Sequence, residues 1–211
     1  MIYPAKLDIQ ILQNSTFRLL YRALQKQKTI ASFAVSTGSP VFTVPCHGLS
    51  AGDKVVVVPA GGVEAQYPSS AAPTPPAVPC GLELNRVYYV IASGLTTNAF
   101  SVSATSGGSA ITVADQPLQS GMCIAQPIDL TGYTADADLK GLIDDQQVAT
   151  FTCALQTANE GLVSISMTPS TAVGIEPGRY GWDASLTSGA GERYYWLTGV
   201  CTVQRTFSRN A

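Results

Sequence analysis

Apolar and polar residues alternate along most of this chain, in short runs separated by turn-forming residues. Leu7, Ile9 and Ile11 are spaced by Asp8 and Gln10, which predicts a first strand with one buried face. Phe17, Leu19, Tyr21 and Ala23 alternate with Arg18, Leu20 and Arg22 and predict a second. A helix capped by Ser15 would instead gather Phe17, Leu20, Tyr21 and Leu24 on one side and end over Gln25 to Lys28. The strand is preferred for residues 15–28, because the rest of the chain carries few helix signals. Evenly spaced runs follow at 32–35, 41–44, 54–58, 86–92, 98–103 and 110–113, a spacing that suits a small barrel or compact sandwich. Longer strands are predicted at 133–139, 148–155, 162–167, 178–186 and 193–205. The last two read as a hairpin closed by Thr187-Ser188-Gly189-Ala190-Gly191, and Pro169 to Val173 has room for one helical turn.

The pattern predicts an all-β protein in which the two ends of the chain belong together. Two strands within residues 7–24 are not stable as an isolated hairpin, whereas added to the five after residue 128 they make a seven-stranded, Ig-like antiparallel sandwich. The expected organisation is a discontinuous sandwich of residues 1–28 and 127–211, with residues 29–126 as a second β-module inserted between its second and third strands. Within the insert, residues 59–79 hold too many Pro and Gly for a ladder and read as a long exposed loop in extended or polyproline conformation.

Composition narrows the function. Only 12% of residues are charged, against the usual ~25%, so the surface is rich in hydroxyls and amides and suited to lie against other protein. Acidic residues outnumber basic ones, 14 to 12, which removes the basic footprint that nucleic acid requires. No apolar run approaches the ~20 residues of a membrane helix, and Met1 to Lys6 lacks the features of a secretion signal, so a chain made and kept in a cytoplasm, off the membrane, is expected. The five cysteines, Cys46, Cys80, Cys123, Cys153 and Cys201, read mainly as small buried apolar residues. A Cys46–Cys80 bridge across the Pro-rich loop stays open, and a zinc site of Cys46, His47, Cys80 and Cys123 lacks closely spaced ligand pairs.

Reactive chemistry is sparse. His47 is the single histidine, so any Ser-His-Asp or Cys-His catalysis must use it, with Cys46, Ser50 and Asp53 nearby. The segment Pro45-Cys46-His47-Gly48-Leu49-Ser50-Ala51-Gly52-Asp53 reads instead as a turn leading into a strand, with Gly48 and Gly52 at unusual backbone angles and Asp53 or Ser50 bonding local amides. Asp136, Asp138, Asp144 and Asp145 match no calcium loop and read as a solvated strand face. Gly61-Gly62 and Gly107-Gly108 are turns, since no helix signal or Lys-Ser/Thr follows them. Trp182, Tyr194, Tyr195 and Trp196 could form a sugar-stacking platform, with Trp182 and Trp196 as the candidate glycan contacts. Strict alternation would put Tyr194 and Trp196 on one face and Tyr195 on the other.

The run from Leu7 to Leu19, then Pro127-Ile128-Asp129-Leu130-Thr131-Gly132-Tyr133, Gly161-Leu162-Val163-Ser164-Ile165-Ser166-Met167, Glu176-Pro177-Gly178-Arg179-Tyr180-Gly181-Trp182-Asp183 and Thr198-Gly199-Val200-Cys201 carry a further signal. Together they resemble the small Ig-like sandwich of tailed-bacteriophage virion proteins, notably the N-terminal domain of the upper baseplate protein, over roughly residues 5–28 and 127–206. In the insert, Phe42-Thr43-Val44-Pro45-Cys46-His47-Gly48 with the residues to Val56, Leu84 to Ile91, and Asn98 to Ser103 look like a β-module common in phage virion proteins. The chain departs from the baseplate relatives in having this insert and no long fibre-bearing continuation. The resemblance implies a non-enzymatic virion structural protein, assembled in the host cytoplasm, without catalytic residues, metal or cofactor. It would be present in many copies or as a homo-oligomer and docked on the major capsid protein or on tail or baseplate subunits. A capsid decoration (cement) protein and a tail or baseplate adaptor fit equally. Expected partner contacts are Tyr67, Pro73, Pro75 and Pro76 in the loop and Arg205 and Arg209 near the end. The alternative is a carbohydrate-binding module that attaches the virion to host glycans.

Overall fold

A computed structural model of the chain describes residues 5–36, 38–59, 78–113 and 121–205. The described chain is all-β apart from two short helical turns. Its first strands are β1 (Ala5–Lys6), β2 (Ile9–Leu12), β3 (Phe17–Arg22), β4 (Lys28–Thr29), β5 (Ser32–Ser36) and β6 (Ser39–Thr43). Next come β7 (Lys54–Pro59), β8 (Val87–Val90), β9 (Ala99–Phe100), β10 (Val102–Ser103) and β11 (Met122–Ala125). Then follow β12 (Thr134–Lys140), β13 (Gln147–Thr150), β14 (Thr152–Thr157) and β15 (Leu162–Met167), the helical turn α1 (Pro169–Val173), and β16 (Gly178–Thr187) and β17 (Arg193–Gln204). The chain divides into two compact units, one holding described residues 5–21 and 130–205, the other 22–36, 38–59, 78–113 and 121–129.

The first unit is a sandwich of two sheets. The larger runs β1-β17-β16-β12-β13, with β2 also on β17; the smaller runs β14-β15-β3. Alternation explains the packing: Ile9, Ile11, Phe17, Leu19 and Tyr21 are buried while Gln10 and Arg18 face out, so each early strand has one apolar face. Phe151 lies where the chain passes from β13 to β14. Its ring meets Phe17 at 5.7 Å and Trp182 at 6.2 Å, joining residues of both sheets. The segment predicted as one strand, 148–155, is therefore two, because Phe151 turns inward as the chain changes sheet.

Two features are shared with immunoglobulin-type sandwiches. β1 and β2 pair with the last strand, β17, in parallel, while β17-β16-β12-β13 run antiparallel. At the start of β16, the Tyr180 hydroxyl donates to the Glu176 carbonyl at 2.8 Å, a side chain reaching back to upstream main chain as in a tyrosine corner. The turn leading there is α1, as Pro169 and the cap Thr168 suggest; Thr168 Oγ1 accepts the Thr171 amide at 3.3 Å.

The second unit holds the five-stranded sheet β10-β8-β7-β11-β4 and the three-stranded sheet β5-β6-β9. Lys54-Val-Val-Val-Val-Pro59 buries both faces of β7: Val55 and Val57 join Phe42, Tyr88, Phe100 and Ile124, while Val56 and Val58 join Val87, Cys123 and Ala125. β11, entirely buried, was not foreseen; Met122-Cys123-Ile124-Ala125 is a four-residue run too short to carry a period. Residues 110–113 make only an isolated bridge, Ala110 to Ser103, rather than a strand. Residues 22–28, placed with the sandwich on pattern, fall in this unit, where Arg22 bonds Asn85, Leu24 bridges Pro127 and β4 pairs with β11.

Candidate docking surface

The outer face of the larger sheet is set by register. On β12, Ala137 and Leu139 are buried, so Asp136, Asp138 and Lys140 face out, opposite Ser185, Asp183 and Gly181 of β16. Asp138 directly across from Asp183 is an unfavourable like-charge pair. Lys140 relieves it, its Nζ donating to Asp183 Oδ2 at 2.9 Å, and Gln147 Nε2 donates to Asp138 at 3.2 Å. The bond to Asp183 raises the Lys140 pKa. Beside them Arg193 Nε donates to Ser185 Oγ at 2.8 Å while its guanidinium lies 5.4 Å over the Tyr195 ring, which accounts for the burial of a serine on an outward face.

The β12–β13 hairpin departs from ordinary turn chemistry. Gly141 N–H donates to the Gln146 carbonyl at 2.8 Å, and Asp145 takes a left-handed φ of 56°. On this loop Leu142 is 56% exposed and Ile143 102%, and Val148 on β13 is 42% exposed. Leu142 reaches back over the sheet, so that a Cβ at Gly181 would lie 3.7 Å from it. Three exposed branched aliphatics within seven residues give this hairpin an apolar surface. The signal was present in the sequence as Leu142-Ile143 between Gly141 and Asp144-Asp145, a place where polar residues are the rule.

The smaller sheet presents a different surface. Thr152, Ala154 and Gln156 of β14 are exposed, with Ser164 and Ser166 of β15 on the same face. Gln156 Nε2 donates to Ser164 Oγ at 2.9 Å, and the Ser164 and Ser166 hydroxyls each donate to carbonyls of β14, of Ala154 and Thr152, at 3.3 Å. Neither strand carries a charged residue.

Of the contact residues singled out from sequence, only Arg205, Trp182 and Trp196 are among the described residues. Tyr67, Pro73, Pro75, Pro76 and Arg209 lie outside the described residues; Arg205 is exposed just beyond β17. Trp182 is no glycan contact: it is 2% exposed, and its indole N–H donates to the Leu7 carbonyl at 2.8 Å. Trp196 is half-buried, with its Nε1 enclosed and lacking an acceptor. It is the extra residue of a β-bulge, since Ala184 pairs with Leu197 but Ser185 with Tyr195. The bulge resets the alternation, so Trp196 and Tyr194 do not form the single face expected. The Tyr194 hydroxyl instead donates to the Glu192 carboxylate, which raises its pKa.

Around His47 the side-chain bonds of the turn are local, while its main chain reaches further, Lys28 donating to the His47 carbonyl and the His47 N–H to the Thr97 carbonyl at 3.3 Å. Leu49 N–H donates to His47 Nδ1 at 2.9 Å, Ser50 N–H donates to Asp53 Oδ2 at 2.8 Å, and the imidazole packs edge-on against Phe100 at 5.2 Å. Gly48 and Gly52 take φ of 66° and 91°, the unusual angles expected of them. His47 is 2% exposed. All five cysteines are free thiols; Cys46 and Cys80 are exposed, Cys123 and Cys201 buried. Among the described residues no three Cys, His, Asp or Glu side chains are grouped to hold a metal ion.

No protein-family model and no curated protein matches the chain. Among solved structures it is similar to AggA, the major subunit of aggregative adherence fimbriae type I from Escherichia coli, with 11% identity over 96% of this chain and 91% of AggA and a TM-score of 0.21. A likeness that weak carries no argument about this chain.

Proposed function

We propose that the chain is a non-enzymatic structural subunit of a tailed phage particle, docking on other virion subunits as a capsid decoration protein or as a tail or baseplate adaptor. The observation that carries the docking reading is the exposure of Leu142, Ile143 and Val148 on one hairpin, beside an outer sheet face on which Lys140 pairs with Asp183 and Gln147 bonds Asp138. The virion assignment itself comes from the sequence resemblance, which spans both outer segments of the chain and the module between them. Protein mass spectrometry of purified particles is the test, followed by a low-resolution map locating the chain. Detection in stoichiometric amounts at the capsid surface or in the tail supports the proposal, and absence from the particle overturns it.

A further inference from the structure

A sheet edge left open offers unpaired amides and carbonyls to any strand that approaches, and soluble proteins usually blunt such edges with charge, proline, bulges or shortness. The sandwich unit blunts most of its edges in this way. β3 carries Arg18 and Arg22, and β1 carries Lys6. β13 is four residues long, and its pairing with β12 slips at Val148, which has no partner between Gln147 and Ala149.

β14 has none of these protections over most of its length. Thr152-Cys153-Ala154-Leu155-Gln156-Thr157 holds no charge, proline or glycine and pairs regularly with β15 from Thr152 to Leu155, slipping only at Gln156. Thr152, Ala154 and Gln156 are exposed and Cys153 and Leu155 half-buried. Among the described residues no strand pairs with its other side.

The chemistry of this edge selects its occupant. When a strand pairs antiparallel with its own copy about a two-fold axis, each residue meets one from the same strand. Charged edges fail that condition, since arginine would meet arginine on β3. Hydroxyls and amides satisfy it, because each both donates and accepts, and alanine and leucine satisfy it by packing. We propose that the chain self-associates through β14, two copies pairing antiparallel so that their three-stranded sheets become one continuous sheet. This stands on the edge alone and does not depend on the virion assignment.

Sedimentation equilibrium of the full chain between about 1 and 200 μM tests it. The expected result is a mass rising toward twice 22.1 kDa, restored to 22.1 kDa by Ala154→Lys, which sets like charges near one another at the paired edge. Arg18→Gln on the opposite edge should leave the association unchanged. A second reading uses unmodified protein: amide exchange over residues 152–157 should slow at least tenfold from the lowest to the highest concentration, with no such change over β3. A wild-type chain that stays at 22.1 kDa throughout overturns the proposal. So does a dimer that survives Ala154→Lys, or one abolished only by Ala34→Lys on β5, the uncharged open edge of the other unit. An exchange rate over 152–157 that is independent of concentration also overturns it.

Discussion

The indole N–H of Trp182 donates to the main-chain oxygen of Leu7 at 2.8 Å, joining residues 175 positions apart. Leu7 follows β1, and its own N–H donates to the Thr198 carbonyl at 2.8 Å, so the first described segment is fixed to β17 by main chain and to β16 by a buried side chain. Trp182→Phe would keep most of the apolar contact with Phe151 but leave the Leu7 oxygen without its indole donor. A loss of roughly 1–3 kcal/mol in unfolding free energy is expected. Urea titration measures it, and amide exchange should show β1 and β2 opening before the rest of the sheet. Unchanged stability would show that the bond contributes nothing net.

Gly199 sits across from Trp182 on β17, directly beneath the same Leu7 carbonyl. A Cβ there would lie 2.6 Å from the Leu7 carbonyl carbon, so the glycine is required by close approach of another backbone. Gly199→Ala should push the Leu7 segment off the sheet at a cost of about 1–3 kcal/mol, with the largest gain in exchange rate at the Leu7 amide. A variant as stable as the parent would mean that the first segment docks on β17 with slack.

The two sites show what the sequence could and could not disclose. Period-two alternation located most strands of the sandwich, since residues such as Ile9, Ile11, Phe17 and Leu19 each have one face to bury. It did not reveal that β1 and β2 join β17 in parallel, because pairing partners depend on contacts far apart in sequence. Nor could it place Trp196. One bulge residue reverses the facing of everything on one side of it, and nothing in Tyr194-Tyr195-Trp196-Leu197 announces where the extra residue lies. The hairpin is legible in principle as an apolar pair inside a turn, but neither Leu142 nor Ile143 carries a reactive or stacking group that would mark it.

The thiols provide a pH test. Burial pushes Cys201 up to about 12 from an ordinary 9.0 and, with Asp136 and Asp138 adding to the effect, Cys153 likewise to about 12. Both groups are neutral in the folded chain over a range where the unfolded chain ionises, so the unfolded state binds fewer protons. Their contribution is complete below pH 9 and is lost as pH rises toward 12, at up to about 1.4 kcal/mol per pH unit for the buried Cys201 and less for the more exposed, solvent-screened Cys153. Unfolding free energy measured from pH 8 to 10.5 should fall accordingly, and Cys201→Ala should flatten the fall by the share of one group. In the native protein at pH 8 a thiol reagent should label Cys46 and Cys80 promptly and Cys123 and Cys201 only after denaturation.

Ile143 separates folding from docking. Its side chain is fully in water, so removing it deletes no internal contact, and Ile143→Asp should leave the melting temperature within about 2 °C of the parent. At an interface the same change places a carboxylate where apolar area is buried, beside Asp144 and Asp145, and should weaken attachment at least tenfold. Competition between tagged Ile143→Asp and wild-type chains for incorporation into particles measures the effect directly. Equal incorporation at unchanged stability would remove the hairpin patch from the docking surface and direct attention to the uncharged face of β14 and β15.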